Sequence, residues 1–222
     1  MTLVTFIIPT IGRDSLLRAL ESLFKQTVWD WKAIVIFDGI EPTITVADPR
    51  VTLITCEKKG ITDVTVSGEQ RNNGAGNVRN YGIKKCNTEW VAFLDDDDTL
   101  AHTYIETFYN ELNVTYNPSV VLFRMRHPEH GVVPNPSTVR LDLYQVGISF
   151  IVKRKIFKEG ITFIPSHIED FNLLDRIRNE GYKIVMSPYV KYFVDNYEHT
   201  EIDPIKGRRI IINAEDKLVI SR

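Results

Sequence analysis

Val4-Thr5-Phe6-Ile7-Ile8-Pro9-Thr10-Ile11-Gly12-Arg13-Asp14 opens the chain with an uninterrupted apolar and β-branched run that stops at a proline and a glycine. The run predicts a buried strand ended by Pro9, and Asp14 stands where it can cap the next helix. Leu16, Leu20, Leu23 and Phe24 then recur at helical spacing, and Lys32 to Phe37 returns to a continuous apolar run that ends at Asp38-Gly39. The order is strand, helix, strand. Continuous apolar strands joined by a helix predict a parallel sheet covered on both faces, with ligands bound beyond the carboxyl ends of its strands. Asp38 lies at such an end.

Working outward, a third strand is expected at Val51 to Cys56, then a polar segment from Glu57 to Asn73 that is a loop or a small hairpin. Gly74 to Cys86 reads as a helix despite the low propensity of Gly76 and Gly82. Trp90-Val91-Ala92-Phe93-Leu94 is a further buried strand that runs straight into Asp95-Asp96-Asp97-Asp98, and His102 to Asn110 reads as the following helix. Later elements are less regular: strands at Val120 to Met125, Ile148 to Val152 and Tyr182 to Met186, a surface loop at His127 to Pro136, and a helix at Phe171 to Glu180. Ile210-Ile211-Ile212 and Leu218-Val219-Ile220 predict a terminal hairpin whose apolar face packs on the domain or on a second subunit.

The 222 residues are 43% hydrophobic with 12 Gly and 10 Pro, a composition that fits one globular α/β domain over residues 1–222. Lys and Arg total 27 against 29 Asp and Glu and are scattered, which excludes the electrostatic footprint of a duplex nucleic-acid binder. Two cysteines, Cys56 and Cys86, flank apolar runs and read as buried thiols. No apolar stretch approaches the roughly 20 residues of a bilayer span. A soluble, cytoplasmic chain is expected, peripheral to a membrane only through missing regions or partners.

The four consecutive aspartates carry the strongest chemical signal. Carboxylates crowded at a buried strand end repel one another unless water or a cation compensates them. On an extended backbone Asp95 and Asp97 face one ligand while Asp96 points away. A hard divalent ion, Mn²⁺ or Mg²⁺, held there could bridge to diphosphate oxygens and neutralise a departing nucleotide diphosphate; a hydrated acidic loop capping the next helix is the other reading. Asp38 either caps its turn or accepts from a base or ribose. Asn73-Gly74-Ala75-Gly76-Asn77, with Arg79 and Asn80 after it, offers a tight turn with backbone donors and a cation. Glu169-Asp170 precedes an amphipathic run, so its acids either favour the helix start or hold a general base beside an acceptor hydroxyl. His199, in an aromatic and acidic neighbourhood, is carried as a third metal ligand.

Taken together, these segments resemble the inverting glycosyltransferases of the GT-A architecture, in the group called family two. Phe6 to Arg13 resembles the family's first strand and nucleotide-facing turn, which places Pro9, Thr10 and Arg13 at the donor. Ile36-Phe37-Asp38-Gly39 resembles its second strand, Gly74 through Gly82 the motif before its metal strand, and Phe93 to Asp98 its metal and donor motif. Val146 to Phe150 and His167-Ile168-Glu169-Asp170 resemble the acceptor segment and the motif that supplies the base. The likeness covers roughly residues 3–200 in order. Ile11 stands where the family often has a base-stacking aromatic residue, and Phe37 where a second acid often precedes Asp38.

The resemblance implies a single, mostly parallel central sheet flanked by helices. Residues 1–100 would form the nucleotide-sugar half, 101–200 the acceptor half and 201–222 a hairpin or tail. It implies that Asp38 and Arg79 help bind the nucleotide of a nucleotide-diphosphate sugar, UDP-linked by preference. Asp95 contacts the ribose or the metal, Asp96 belongs to the same donor motif, Asp97 binds the divalent ion, and Asp170 is the base with Glu169 as its substitute. The acceptor is a hydroxyl on a glycan or another molecule, and a homodimer is compatible with this. Two rivals are a noncatalytic sugar-nucleotide or glycan-binding module and a sugar nucleotidyltransferase, which needs an early basic phosphate site that Gly12-Arg13 supplies only thinly.

Overall fold

The computed structural model describes residues 4–59, 62–64, 70–72, 74–194 and 209–212. The chain runs β1 (Val4–Thr10), α1 (Leu16–Phe24), β2 (Trp31–Asp38), β3 (Val51–Cys56), β4 (Thr62–Val64), β5 (Gln70–Asn72), α2 (Ala75–Ile83), β6 (Trp90–Phe93), β7 (Thr99–Leu100) and α3 (Tyr104–Val114). It continues through β8 (Val120–His127), β9 (Gly131–Val133), β10 (Phe150–Lys153), α4 (Arg154–Lys158), α5 (Glu169–Asn179), β11 (Ile184–Phe193) and β12 (Ile210–Ile212).

The result is an α/β fold around one largely parallel mixed sheet in the order β12-β11-β8-β10-β6-β1-β2-β3, with helices on its faces. The expected parallel core is present: β1 pairs in parallel with both β2 and β6, and β2 with β3. All of β6 and nearly all of β1 and β2 are buried, which is why these segments read as continuous apolar runs and not as alternating ones. In the other half β8 and β11 are parallel, while β10 wedges antiparallel between β6 and β8. α1 buries Leu16, Ala19, Leu20 and Leu23 against the sheet. Gly82 lets α2 approach more closely, because a Cβ there would lie 2.4 Å from Ile36 Cδ1 and 2.9 Å from Ile7 Cγ2.

Several expectations shift. The segment expected as a surface loop at His127 to Pro136 contributes a short hairpin, since β8 extends to His127 and pairs with β9 across Gly131 at φ +69°. β11 continues past Pro188 to Phe193, with register irregularities between Met186 and Val190 that accommodate the proline inside the strand. Glu57 to Asn73 holds the small antiparallel β4–β5 pair. Ile210–Ile212, one arm of the expected terminal hairpin, pairs antiparallel with Ile184–Met186, and Ile210 and Ile212 are buried in the chain's own core. Its other arm, Leu218 to Ile220, lies outside the described residues. Cys56 and Cys86 are free and buried.

Candidate functional site

The carboxyl ends of β1, β2 and β6 and the N-terminus of α2 enclose a cavity of about 220 Å³. Pro9, Thr10, Ile11 and Arg13 line it from the first turn, Asp38 from β2, Gly74, Ala75 and Val78 from α2, and Asp95, Asp96 and Asp97 from the acidic turn. Parallel strands leave their ends open to ligands at one edge, so this is where the sheet topology puts a site.

The acidic segment departs from the expected alternation. β6 ends at Phe93, and Asp98 N donates to Asp95 O at 3.2 Å to close a turn, so the backbone is no longer extended. Asp96 therefore does not point away. It is buried, accepts from Thr10 Oγ1 at 2.6 Å and from Arg13 Nη1 at 2.9 Å, and ties the turn to the end of β1. Asp97 accepts from the same Arg13 Nη1 at 2.6 Å, while its carbonyl accepts from Arg18 Nη2 at 2.9 Å. Burial raises the Asp97 carboxyl above its usual range, Arg13 counteracts this, and neighbouring Asp95 and Asp96 add to the rise. Tyr192 Oη accepts from Asp95 N at 3.1 Å.

Behind the cavity stands Arg79, buried on α2 and engaged by acids from two elements. Its Nη2 donates to Asp95 Oδ1 at 2.6 Å, its Nη1 donates to Glu169 Oε1, and Asp170 Oδ1 lies 3.8 Å from Nη1. Burial works against the charged guanidinium, but Asp95, Asp170 and Glu169 outweigh it and hold Arg79 firmly protonated. Glu169 also accepts from Gly76 N at 3.1 Å, and a Cβ on Gly76 would sit 2.4 Å from Glu169 Oε2. The glycine thus permits the first turn of α2 to meet the first turn of α5.

The two adjacent acids of α5 differ. Glu169 has both carboxylate oxygens engaged. Asp170 Oδ1 is buried without a hydrogen-bond partner among the described residues, and burial pushes its carboxyl from 3.8 up to about 7, with Arg79 opposing and Glu169 and Asp95 adding to the rise. Asp38 is buried, and its Oδ1 accepts from Lys59 N at 2.6 Å while the residue lines the cavity, so the turn contact and the ligand-facing position coexist.

The structure thus brings Pro9, Thr10, Arg13, Asp38, Asp95, Asp96 and Asp97 to one cavity and joins Arg79, Glu169 and Asp170 to it through Asp95. His199 lies outside the described residues. Among the described residues no group of three or more His, Cys, Asp or Glu is arranged to hold a metal. The oxygen donors of Asp95 and Asp97 nonetheless suit Mg²⁺ or Mn²⁺, since small hard ions are commonly held by one or two carboxylates together with substrate phosphates. Arg18 and Tyr192 were not singled out from sequence: Arg18 carries no local signal, and Tyr192 reads as one more aromatic residue in a strand. Gly76 was legible as part of a tight turn with backbone donors, but its close approach to Glu169 was not.

A model of the family described as glycosyl transferase family 2 matches residues 5–168, and so ends one residue before α5. The succinoglycan biosynthesis protein ExoW of Rhizobium meliloti (strain 1021) is 33% identical over 116 residues, 50% of this chain and 34% of its own length. The poly(ribitol-phosphate) beta-N-acetylglucosaminyltransferase TarP of Staphylococcus aureus (strain N315) is 34% identical over 115 residues, 50% of this chain and 33% of its own length. The chain therefore spans about a third of the length of these relatives. Among solved structures, S. aureus TarS 1-349 in complex with UDP-GlcNAc superposes with a TM-score of 0.66 at 17% identity, covering 93% of this chain and 62% of that one. The mannosyltransferase PcManGT of Pyrobaculum calidifontis, in complex with GDP-Man and Mn²⁺, gives 0.62 at 15% identity, covering 89% and 58%. At these identities the superpositions speak for the fold.

Proposed function

This chain belongs to glycosyl transferase family 2, and we propose that it moves a sugar from a nucleotide-diphosphate donor, UDP-linked by preference, to an acceptor hydroxyl on a glycan or similar molecule with inversion at the anomeric carbon. The observation that carries this reading is the continuous bridge Asp95–Arg79–Glu169/Asp170, which couples the acidic turn at the cavity to a carboxylate with a buried, unpartnered oxygen. Residues 1–100 supply the donor side and 101–200 the acceptor side of one domain.

In this scheme Asp38 and the first turn seat the nucleotide, with Ile11 giving apolar contact where an aromatic residue would stack. Asp95 and Asp97 hold Mn²⁺ or Mg²⁺, which when bound neutralises charge on the departing diphosphate. Asp170 takes the proton from the acceptor hydroxyl as that oxygen attacks the sugar. A carboxylate poised near neutrality is well matched to this task, because proton transfer is most effective when the base's pKa lies near the working pH. Glu169, with both oxygens engaged, orients Arg79 and the start of α5 and does not itself take the proton. Arg79 is assigned to the carboxylate network, and its link to the donor runs through Asp95.

The test is a donor panel of UDP-, GDP- and dTDP-sugars with Mn²⁺ or Mg²⁺, followed by release of nucleoside diphosphate and the anomeric configuration of the product by NMR. Nucleoside diphosphate release with inversion is expected. Pyrophosphate release from a nucleoside triphosphate and a sugar phosphate would assign the chain to nucleotidyl transfer, and donor binding without turnover over a broad acceptor set would assign it to a binding module.

A further inference from the structure

Tyr192 sits near the end of β11, fully buried, in a part of the chain beyond the matched family region. Its hydroxyl accepts from Asp95 N at 3.1 Å and hydrogen-bonds to the buried Asp98 carboxylate. One oxygen thus holds both ends of the acidic turn, taking a proton donor from the first residue and serving the carboxylate of the last. The chain leaving that turn is held by the same strand: Thr99 and Leu100 of β7 pair with Phe193 and Tyr192, and Ala101 N donates to Lys191 O at 3.0 Å. On its other sides the turn is tied by Thr10 and Arg13 at Asp96 and by Arg18 at the Asp97 carbonyl. Those contacts come from β1, α1 and the turn between them. Tyr192 reaches the turn from the opposite half of the sheet.

We propose that Tyr192 is a positioning residue for donor binding, its hydroxyl fixing the Asp95–Asp98 turn so that Asp95 and Asp97 present their carboxylates to the cavity. The inference rests on the donor-site reading above. Four adjacent carboxylates favour splaying apart, and a turn that loses the acceptor for the amide at its start and a hydrogen bond to the buried acid at its end would relax away from the geometry a cation and a diphosphate need. A hydroxyl that touches neither ligand therefore sets how well both are held, as outer partners of metal-binding groups commonly do.

Isothermal titration of Mn²⁺ together with UDP, and separately GDP and dTDP, into the full chain tests this. Tyr192→Phe keeps the ring and removes only the hydroxyl, and its affinity for the Mn²⁺–nucleotide pair should fall about 10–100-fold. Tyr104→Phe is the control, because its hydroxyl is equally buried but has no hydrogen-bond partner among the described residues, so the same truncation removes no contact to the turn. Wild-type affinity in Tyr104→Phe beside weakened binding in Tyr192→Phe supports the assignment. Equal affinities in wild type and Tyr192→Phe, even with a lower melting temperature in the variant, overturn it and leave the donor-site reading standing. A wild-type protein that binds none of the three nucleotides with Mn²⁺ overturns the donor-site reading and this inference with it. Should Tyr192→Phe not fold, amide hydrogen exchange in the wild type decides: slow exchange at Asp95 supports the hydroxyl bond and fast exchange rejects it.

Discussion

The acidic turn after β6 and the first turn of α5 are both rich in carboxylates, and Arg79 touches both, yet they solve the problem of crowded charge differently. At the turn, partners come from several elements: Arg79 at Asp95, Thr10 at Asp96, Arg13 shared by Asp96 and Asp97, and Tyr192 at Asp98. At α5 the compensation is unequal, with Glu169 engaged at both oxygens and Asp170 left with a buried oxygen that nothing donates to. Donors from several elements share the carboxylates of the turn, an arrangement suited to a cation, whereas burial pushes Asp170, whose Oδ1 has no hydrogen-bond partner among the described residues, toward neutrality. The first suits binding of a diphosphate, the second suits proton transfer.

The largest test of this contrast is Asp170→Asn. Turnover should fall about 10²–10⁴-fold with donor affinity near wild type, read by steady-state kinetics beside calorimetry. A loss confined to donor binding would erase the distinction between the two regions. With its carboxyl raised from 3.8 to about 7, Asp170 is basic only at the upper end of that window, so turnover should rise with pH to a midpoint near 7. Stability should run the other way. Between those values the folded chain holds a proton that the unfolded chain releases, so this residue's contribution to stability falls as pH rises through the window. Melting temperature against pH should accordingly be flatter in Asp170→Asn.

Asp97→Asn should weaken Mn²⁺ binding in the presence of nucleotide about 10–100-fold, since an amide compensates less of the ion's charge. Full activity after exhaustive chelation would remove the metal from the scheme. Glu169→Gln sharpens the comparison within α5. It keeps one carbonyl acceptor, enough for Gly76 N or Arg79 but not for both, so turnover should fall about 10-fold. Removing its negative charge should also move the limb of the pH profile to lower pH, because Glu169 raises Asp170. Collapse in Glu169→Gln beside near-normal turnover in Asp170→Asn would exchange their roles. The smallest effect on turnover is expected from Gly76→Ala, where the added Cβ must displace Glu169 Oε2 and the change is read as about 1–3 kcal/mol of stability by chemical denaturation.

Much of the fold was legible because the parallel strands β1, β2 and β6 are buried on both faces, which imposes unbroken apolar runs that local reading detects. Elements of the other half were harder. β11 passes through Pro188 by register irregularities, and β8 and β9 meet across a glycine in a stretch that resembles a loop. The acidic cluster was visible as composition, but its shape was not. An extended strand would turn Asp96 away, and only the hydrogen bond from Asp98 N to Asp95 O and the pull of Thr10 and Arg13 bring it in.

The sequence by itself determined the order of strands and helices around the first sheet half, the acidic cluster at a strand's carboxyl end and the paired acids at the start of a helix. These are local properties, since periodicity and residue type act within a few positions of one another. Only the tertiary structure decided that Arg79 lies between Asp95 and the two acids of α5, that Glu169 is engaged while Asp170 has an unpartnered oxygen, and that a tyrosine from β11 closes the acidic turn. Those contacts join residues 16 to 97 positions apart, and the charge state of a buried carboxylate follows from which groups packing brings within a few ångströms of it, a quantity that sequence neighbours do not encode.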